Sequence, residues 1–261
     1  MIEGIEENII NLRKNKPLIL NLTNYVTMDF MANALLAIGA APIMSTCQEE
    51  LEELVAMAMA ININIGTLDN AFIEKVLMAA ELAQKYQKPL ILDPVGAGAT
   101  RIRTKTARDL IPFATIVRGN ASEIIALSGI SSNTKGVESV NTTDDAKNAA
   151  IALANFHQCT IVVSGAIDFI TDKTSTTEVA YGSELMPLVT GMGCAMTAII
   201  SAFRAVVNDS FEASNLATHY FNLCGELTAL NDRHPASFQA HFIDHLHAAD
   251  FDKIKMLYEA T

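Results

Sequence analysis

Tryptophan is missing from the 261-residue sequence and aromatic residues make up only 6% of it. Positive charge is scarce: 18 Lys and Arg stand against 29 Asp and Glu, a formal net charge of -11. The diffuse cationic field of a nucleic-acid or anionic-membrane binder is therefore lacking, and an anionic substrate needs a local positive site. No window approaches the ~18 uninterrupted apolar residues of a spanning helix. The opening MIEGIEENIINLRKNKP carries acids early and has no basic start followed by an apolar run, so no secretory signal is read there and a cytoplasmic protein is expected. Cysteine is sparse and scattered. Cys47, Cys159, Cys194 and Cys224 form no C-x-x-C pair and no zinc spacing, in a chain too long to need disulfide staples, so reduced thiols are expected.

What is present describes a globular chain. Half of the residues are hydrophobic and 18% charged, a balance that excludes a disordered or solvating sequence. The length supports one sizeable core, and with no repeat, low-complexity tract or linker the simplest division is a single domain over residues 1–261. A mean hydropathy of +0.26 favours an oligomer, since one chain has more apolar surface than it readily buries.

Short β-type runs bounded by turn signals recur at Leu18–Thr23, Pro42–Ser45, Ile61–Gly66, Leu90–Val95, Thr115–Gly119 and Thr160–Gly165. Helical periodicity fills Met28–Ile38, Asn70–Gln87 and Thr143–His157 between them. The strands are near-continuous apolar runs, as expected when helices cover both faces of a mostly parallel sheet. After about Asp172 a polar segment with room for a hairpin leads to a glycine turn and three helical stretches, Ala195–Val207, Phe211–Asn231 and Phe238–Tyr258.

In such a sheet ligands gather at the carboxyl ends of the strands. The most informative segment is Val189-Thr190-Gly191-Met192-Gly193-Cys194, which runs into the apolar helix AMTAIISAF. Its glycines permit close backbone approach, and the helix aims unpaired N–H groups and a positive dipole end at the turn, forming an anion cradle at Gly193. The alternative is a glycine turn that merely feeds a packed helix. Cys194 sits where the dipole should favour a thiolate, or is simply small core filler. Asp93 ends an apolar strand and is fixed by Pro94, a placement suited to a magnesium–water ligand. Glu123 lies on the first turn after Gly119-Asn120 and is either a second metal-site acid or a capping acid. With Arg118 to meet a phosphate, these groups together describe a metal–nucleotide site. His241 and His245 lack the rest of a metal motif and read as a solvated helix face, as does the acidic run Gln48–Leu54.

Six segments in near-colinear order carry a resemblance over nearly the whole chain. They are TNYVTMDFMANALLAIGAAPIMS (Thr23–Ser45), NIGTL (Asn64–Leu68), LDPVGAGATRIRT (Leu92–Thr104), VRGNASEI (Val117–Ile124), VVSGAIDFITD (Val162–Asp172) and VTGMGCAMTAIISAF (Val189–Phe203). The sequence resembles the hydroxyethylthiazole kinase family, the thiamine-salvage branch of the ribokinase-like small-molecule kinases. The resemblance implies a three-layer α/β/α ribokinase-like fold and transfer of the ATP γ-phosphate, with Mg²⁺, to the hydroxyl of 4-methyl-5-(2-hydroxyethyl)thiazole. It implies a homotrimer whose substrate pockets lie between subunits. By motif, Met44, Gly191 and Asn24 fall to the thiazole, Arg118 and Ser164 to ATP, and Asp93 and Glu123 to the phosphates and metal. Cys194 takes the place where ribokinase-like relatives carry an Asp base. Rival readings are a hydroxymethylpyrimidine-type kinase, an ATP-dependent nucleotide-hydrate dehydratase, a cysteine hydrolase, and a nucleotide or thiazole sensor without catalysis.

Overall fold

The computed structural model describes residues 1–129 and 143–260. Strands β1 (Leu18–Leu22), β2 (Ala41–Met44), β3 (Ala60–Asn64), β4 (Leu90–Asp93), β5 (Ile116–Asn120), β6 (Thr160–Ser164), β7 (Asp168–Thr171) and β8 (Thr176–Val179) form one sheet of order β2-β1-β3-β4-β5-β6-β7-β8. Pairing is parallel from β2 through β6, where helical crossovers separate the strands, and antiparallel for β7 and β8, whose short connections permit only a hairpin. Asp172 closes the last hairpin by accepting the N–H groups of Thr174 and Ser175 at 2.6 and 2.7 Å.

The helices are α1 (Ile2–Asn15), α2 (Met28–Ile38), α3 (Leu51–Met57), α4 (Asn70–Lys85), α5 (Arg101–Leu110), α6 (Ala121–Ser128), α7 (Thr143–His157), α8 (Met192–Val206), α9 (Ser210–Ala229), α10 (Pro235–Ala248) and α11 (Phe251–Glu259). One layer holds α1, α2 and α8 to α11; the other holds α3 to α7. Each sheet face supplies alternate strand residues to its own core, with Ile19, Ala60, Ile91, Ile116 and Val162 under α8 and Leu20, Ile61, Leu92, Val117 and Ile161 on the opposite side. The expected three-layer α/β/α architecture is present.

Two boundaries differ from the sequence reading. The stretch Phe238–Tyr258 is not one helix: Ala249 adopts a left-handed conformation (φ 47°) that ends α10, and Asp250 caps α11 by accepting the N–H of Lys253. The helix after the glycine turn opens at Met192 rather than Ala195, with Gly191 as its N-cap. Gly193 and Cys194 therefore lie in its first turn, and the positive-φ turn reduces to Gly191 (φ 91°). In α3 the glutamates point outward while Leu51 and Leu54 are buried, the solvated acidic face expected of that run.

Candidate active site

Strand parity decides which polar residues reach α8. Counting in twos from the apolar residues beneath that helix places Asn21, Asn62, Asn64, Asp93, Arg118 and Ser164 on the same face. The carboxyl ends of the strands consequently carry a buried polar line through an aliphatic sheet. Thr27 donates its backbone N–H and hydroxyl to Asn24 Oδ1 at 3.0 and 3.1 Å. Asn24 Nδ2 donates to Asn64 Oδ1 at 2.9 Å, and Asn64 Nδ2 to Asp93 Oδ2 at 2.8 Å. Thr197 Oγ1, one turn into α8, reaches the same carboxylate oxygen at 2.9 Å.

Asp93 is 1% exposed, and its second oxygen, Oδ1, is buried with no partner. Burial lifts this carboxyl to about 6; the Arg118 charge opposes the rise, the Glu123 charge adds to it, and the bonds from Thr197 and Asn64 oppose it. Glu123 forms a capping box with Asn120: its N–H is accepted by Asn120 Oδ1 at 3.0 Å while its Oε2 accepts the Asn120 N–H at 2.8 Å. Glu123 Oε1 accepts the N–H of Gly96 at 2.8 Å, tying the end of β5 to the loop after β4. Each Glu123 oxygen keeps a further lone pair.

Arg118 crosses from β5 to β6, with Nη2 2.5 Å from Ser164 Oγ and Nε buried without a partner. The guanidinium also lies against Gly193. Gly191 is needed for a second reason besides its φ: a β-carbon there would come within 2.7 Å of Thr27 Cγ2. The N–H groups of Gly193 and Cys194 belong to the first turn of α8 and have no intrahelical acceptor, so they stand as bare donors beside Arg118.

The dipole-favoured thiolate expected at Cys194 is corrected. Burial pushes the thiol up and the Asp93 charge reinforces this, outweighing bonds from Thr27 and Asn64 and the Arg118 charge. Cys194 is a neutral thiol at pH 7, with Asn24 Nδ2 3.6 Å from its sulfur.

A cavity of about 670 Å³ opens along this end of the sheet, lined in part by Arg118, Ser164, Met192, Gly193, Tyr181 and Phe221. Asn24 and Gly191 lie outside its lining and meet through Thr27; Met44 ends the edge strand β2, in register with Asn21. Sequence reasoning missed Asn64, Thr27 and Thr197. The available signal was a polar residue inside an apolar run, in AININIG and in AMTAIISAF.

No group of three metal-ligating side chains is assembled among the described residues. The unpartnered Asp93 oxygen fits Mg²⁺ nonetheless, because that ion takes one or two carboxylates and fills its shell with water and substrate phosphates.

The sheet order and its two helical layers define a ribokinase-like fold: a ribokinase-like superfamily protein from Enterococcus faecalis V583 superposes with a TM-score of 0.68 at 18% identity, over 93% of this chain and 89% of that one. The ADP complex of Bacillus subtilis pyridoxal kinase shares the fold at a TM-score of 0.62 and 16% identity, over 80% of this chain and 91% of that one. Sequence narrows the class further. Residues 9–251 match the model of the hydroxyethylthiazole kinase family, and the chain belongs to that family. The hydroxyethylthiazole kinase of Chlamydia caviae is 51% identical, over 99% of this chain and 100% of that protein. That of Photobacterium profundum is 45% identical, over 95% of this chain and 90% of that protein. A solved hydroxyethylthiazole kinase protein from Pyrococcus horikoshii OT3 superposes with a TM-score of 0.89 at 36% identity, covering 97% of this chain and 96% of that one.

Proposed function

We propose that this chain, as a single kinase domain, phosphorylates the hydroxyl of 4-methyl-5-(2-hydroxyethyl)thiazole with Mg-ATP, giving the thiazole phosphate and ADP for thiamine salvage. The observation that carries the reading is the meeting of Arg118, the buried Asp93 carboxylate and the open first turn of α8 at one strand-end site, in a chain of this family. Arg118 and Ser164 bind the ATP phosphates, Arg118 through charge-assisted bonds. Gly193 and Cys194 offer first-turn N–H groups to the phosphoryl group in flight, where fixed donors take up charge without reorganising. Met44, Gly191 and Asn24 receive the thiazole ring, and the Cys194 thiol orients the attacking hydroxyl. Asp93, through its unpartnered Oδ1, and Glu123 would hold the magnesium. When bound, that ion neutralises phosphate charge.

The loosely bonded transition state of phosphoryl transfer needs little base assistance, so positioning and electrostatics supply most of the acceleration and a neutral thiol is no obstacle. Tyr25 and Val26, which follow Asn24, are 62% and 70% exposed, which supports a homotrimer whose thiazole pocket is completed by a neighbouring subunit. No helix among the described residues is long and apolar enough to cross a membrane, and the reading places the enzyme in the cytoplasm.

The test is ADP release from purified protein supplied with Mg-ATP and competing alcohols. Turnover that requires the thiazole alcohol is expected. Turnover only with a hydroxymethylpyrimidine, or binding of both ligands without ADP release, overturns the proposal in favour of a related kinase or a sensor.

A further inference from the structure

The cavity holds a carboxylate that has no part in the reaction just described. Asp168, the first residue of β7, is 4% exposed. Its Oδ1 accepts the N–H of Gly165 at 2.8 Å and its Oδ2 accepts Asn222 Nδ2 from α9 at 2.7 Å. No Lys, Arg or His forms an ion pair with it among the described residues. A buried carboxylate without a direct ion pair is costly; the two fixed donors, and to a lesser degree the Arg118 charge, offset the cost, the donors only by holding one geometry. That geometry lies under the nucleotide end of the site. Gly165 follows Ser164, whose hydroxyl meets Arg118, so an unbroken line of contacts runs Arg118, Ser164, Gly165, Asp168, Asn222. Asn222 is itself 4% exposed and sits on α9, which packs along α8. The turn between β6 and β7 is thereby fixed to the helical layer that also carries the phosphate-facing turn at Gly193.

We propose that Asp168 and Asn222 are a positioning pair for ATP: through Gly165 they set where Ser164 and the β6–β7 turn stand relative to Arg118 and the first turn of α8. The inference rests on the reading that ATP binds at Arg118 and Ser164. Neither residue needs to touch the transferred phosphoryl group; the pair acts by fixing the backbone that does the binding.

The chemistry of the pair supplies its own test. Asp168→Asn keeps the shape of the side chain, but both neighbours are donors and an amide can accept from only one of them. The reciprocal swap, Asp168→Asn with Asn222→Asp, restores both bonds: the amide oxygen at 168 accepts from Gly165, and its NH₂ group donates to the carboxylate at 222. Net charge is unchanged by the swap. In the full chain, Asp168→Asn is expected to raise the KM for ATP about tenfold, the loss of one hydrogen bond to a charged group, with kcat and the KM for the thiazole alcohol within about twofold. The swap is expected to return the KM for ATP to within about threefold of the parent. Should Asp168→Asn fail to fold, Asn222→Ala and the swap are compared in the same way, the first expected to be impaired and the second restored. A wild-type KM for ATP in the folded single variants, or a folded swap as impaired as they are, overturns the proposal. Arg118→Gln separates this from the underlying reading: if it leaves the KM for ATP unchanged, the ATP site itself is misplaced, whereas a raised KM there with no effect at Asp168 removes only the positioning pair.

Discussion

The guanidinium of Arg118 occupies the space that a side chain on Gly193 would fill: a β-carbon at 193 would lie 2.5 Å from Nη1 and 2.9 Å from Nη2. The glycine is required here by a neighbour, since its own backbone is helical. The clashing atoms form the end of a long, flexible side chain, so Gly193→Ala is relieved by moving Arg118 away from Ser164 and leaves the core untouched. The melting temperature is expected to stay within about 2 °C, Gly→Ala being mildly favourable in a helix, while the KM for ATP rises about tenfold as a charge-assisted contact is lost. Melting curves beside initial rates check this; a variant with a normal KM would show that Arg118 does not meet the nucleotide from this position.

Asp93 couples the site to stability. Its carboxyl titrates at about 6 when folded, against an ordinary 3.8, because burial disfavours the charged form. Between those values the folded chain keeps a proton that the unfolded chain releases, so the contribution of this group falls as pH rises through that window and stays low above it. Asp93→Asn cannot titrate. Its stability relative to the parent should therefore be higher at pH 7.5 than at pH 4 by something on the order of 2 kcal/mol, while its kinase activity drops at least a hundredfold. Urea denaturation at the two pH values measures the difference directly, and an equal offset at both would show that Asp93 is not a buried charge.

How much of this was legible without coordinates depends on whether the cause was local. Strands β1 and β3 to β6 announce themselves because both faces are covered, leaving apolar runs such as LILNL and PLILDPV between turn residues. Asp93, Arg118 and Ser164 follow from those runs, since ligands collect at strand ends. The Asn64–Asp93–Thr197 contact does not: each residue shows only as a polar interruption in an apolar segment, and joining them needs the strand order and the placement of α8. Cys194 shows the same divide. The helix dipole is readable from one segment, whereas the stronger effect, burial beside Asp93, is tertiary. The break at Ala249 escapes because nothing in its type signals a left-handed backbone, and only the capping Asp250 hints at a second helix start.

A neutral Cys194 that acts by position leads to three measurable expectations. Cys194→Ala is expected to keep substantial turnover, with kcat down about tenfold, because the step draws little on a base. Cys194→Asp is expected to retain or improve turnover, a carboxylate being a competent acceptor at neutral pH. In the parent protein, iodoacetamide should label exposed Cys47 well before Cys194 at pH 7, with the lag shrinking as pH rises and the raised thiol ionises. Peptide-level mass spectrometry reads both sites in one sample. Complete loss of activity in a folded Cys194→Ala that still binds ATP and the alcohol would make the thiol the proton acceptor.

In the proposed trimer the exposed pair Tyr25 and Val26 would tie assembly to substrate binding. Both follow Asn24, which is buried in the polar line to Asp93, so the chain leaves the site directly onto an apolar surface. A neighbouring subunit seated there would cover that surface and wall the proposed thiazole pocket, whereas Arg118, Ser164 and Gly193, proposed for ATP, meet within one chain. Val26→Asp places a charge in the proposed seam, where it can neither reach water nor find a cation built to receive it. Sedimentation velocity should show the parent at about three chain masses and the variant shifted toward one. The KM for the alcohol should then rise more than the KM for ATP, and a monomeric variant with an unchanged KM for the alcohol would separate the pocket from the subunit boundary.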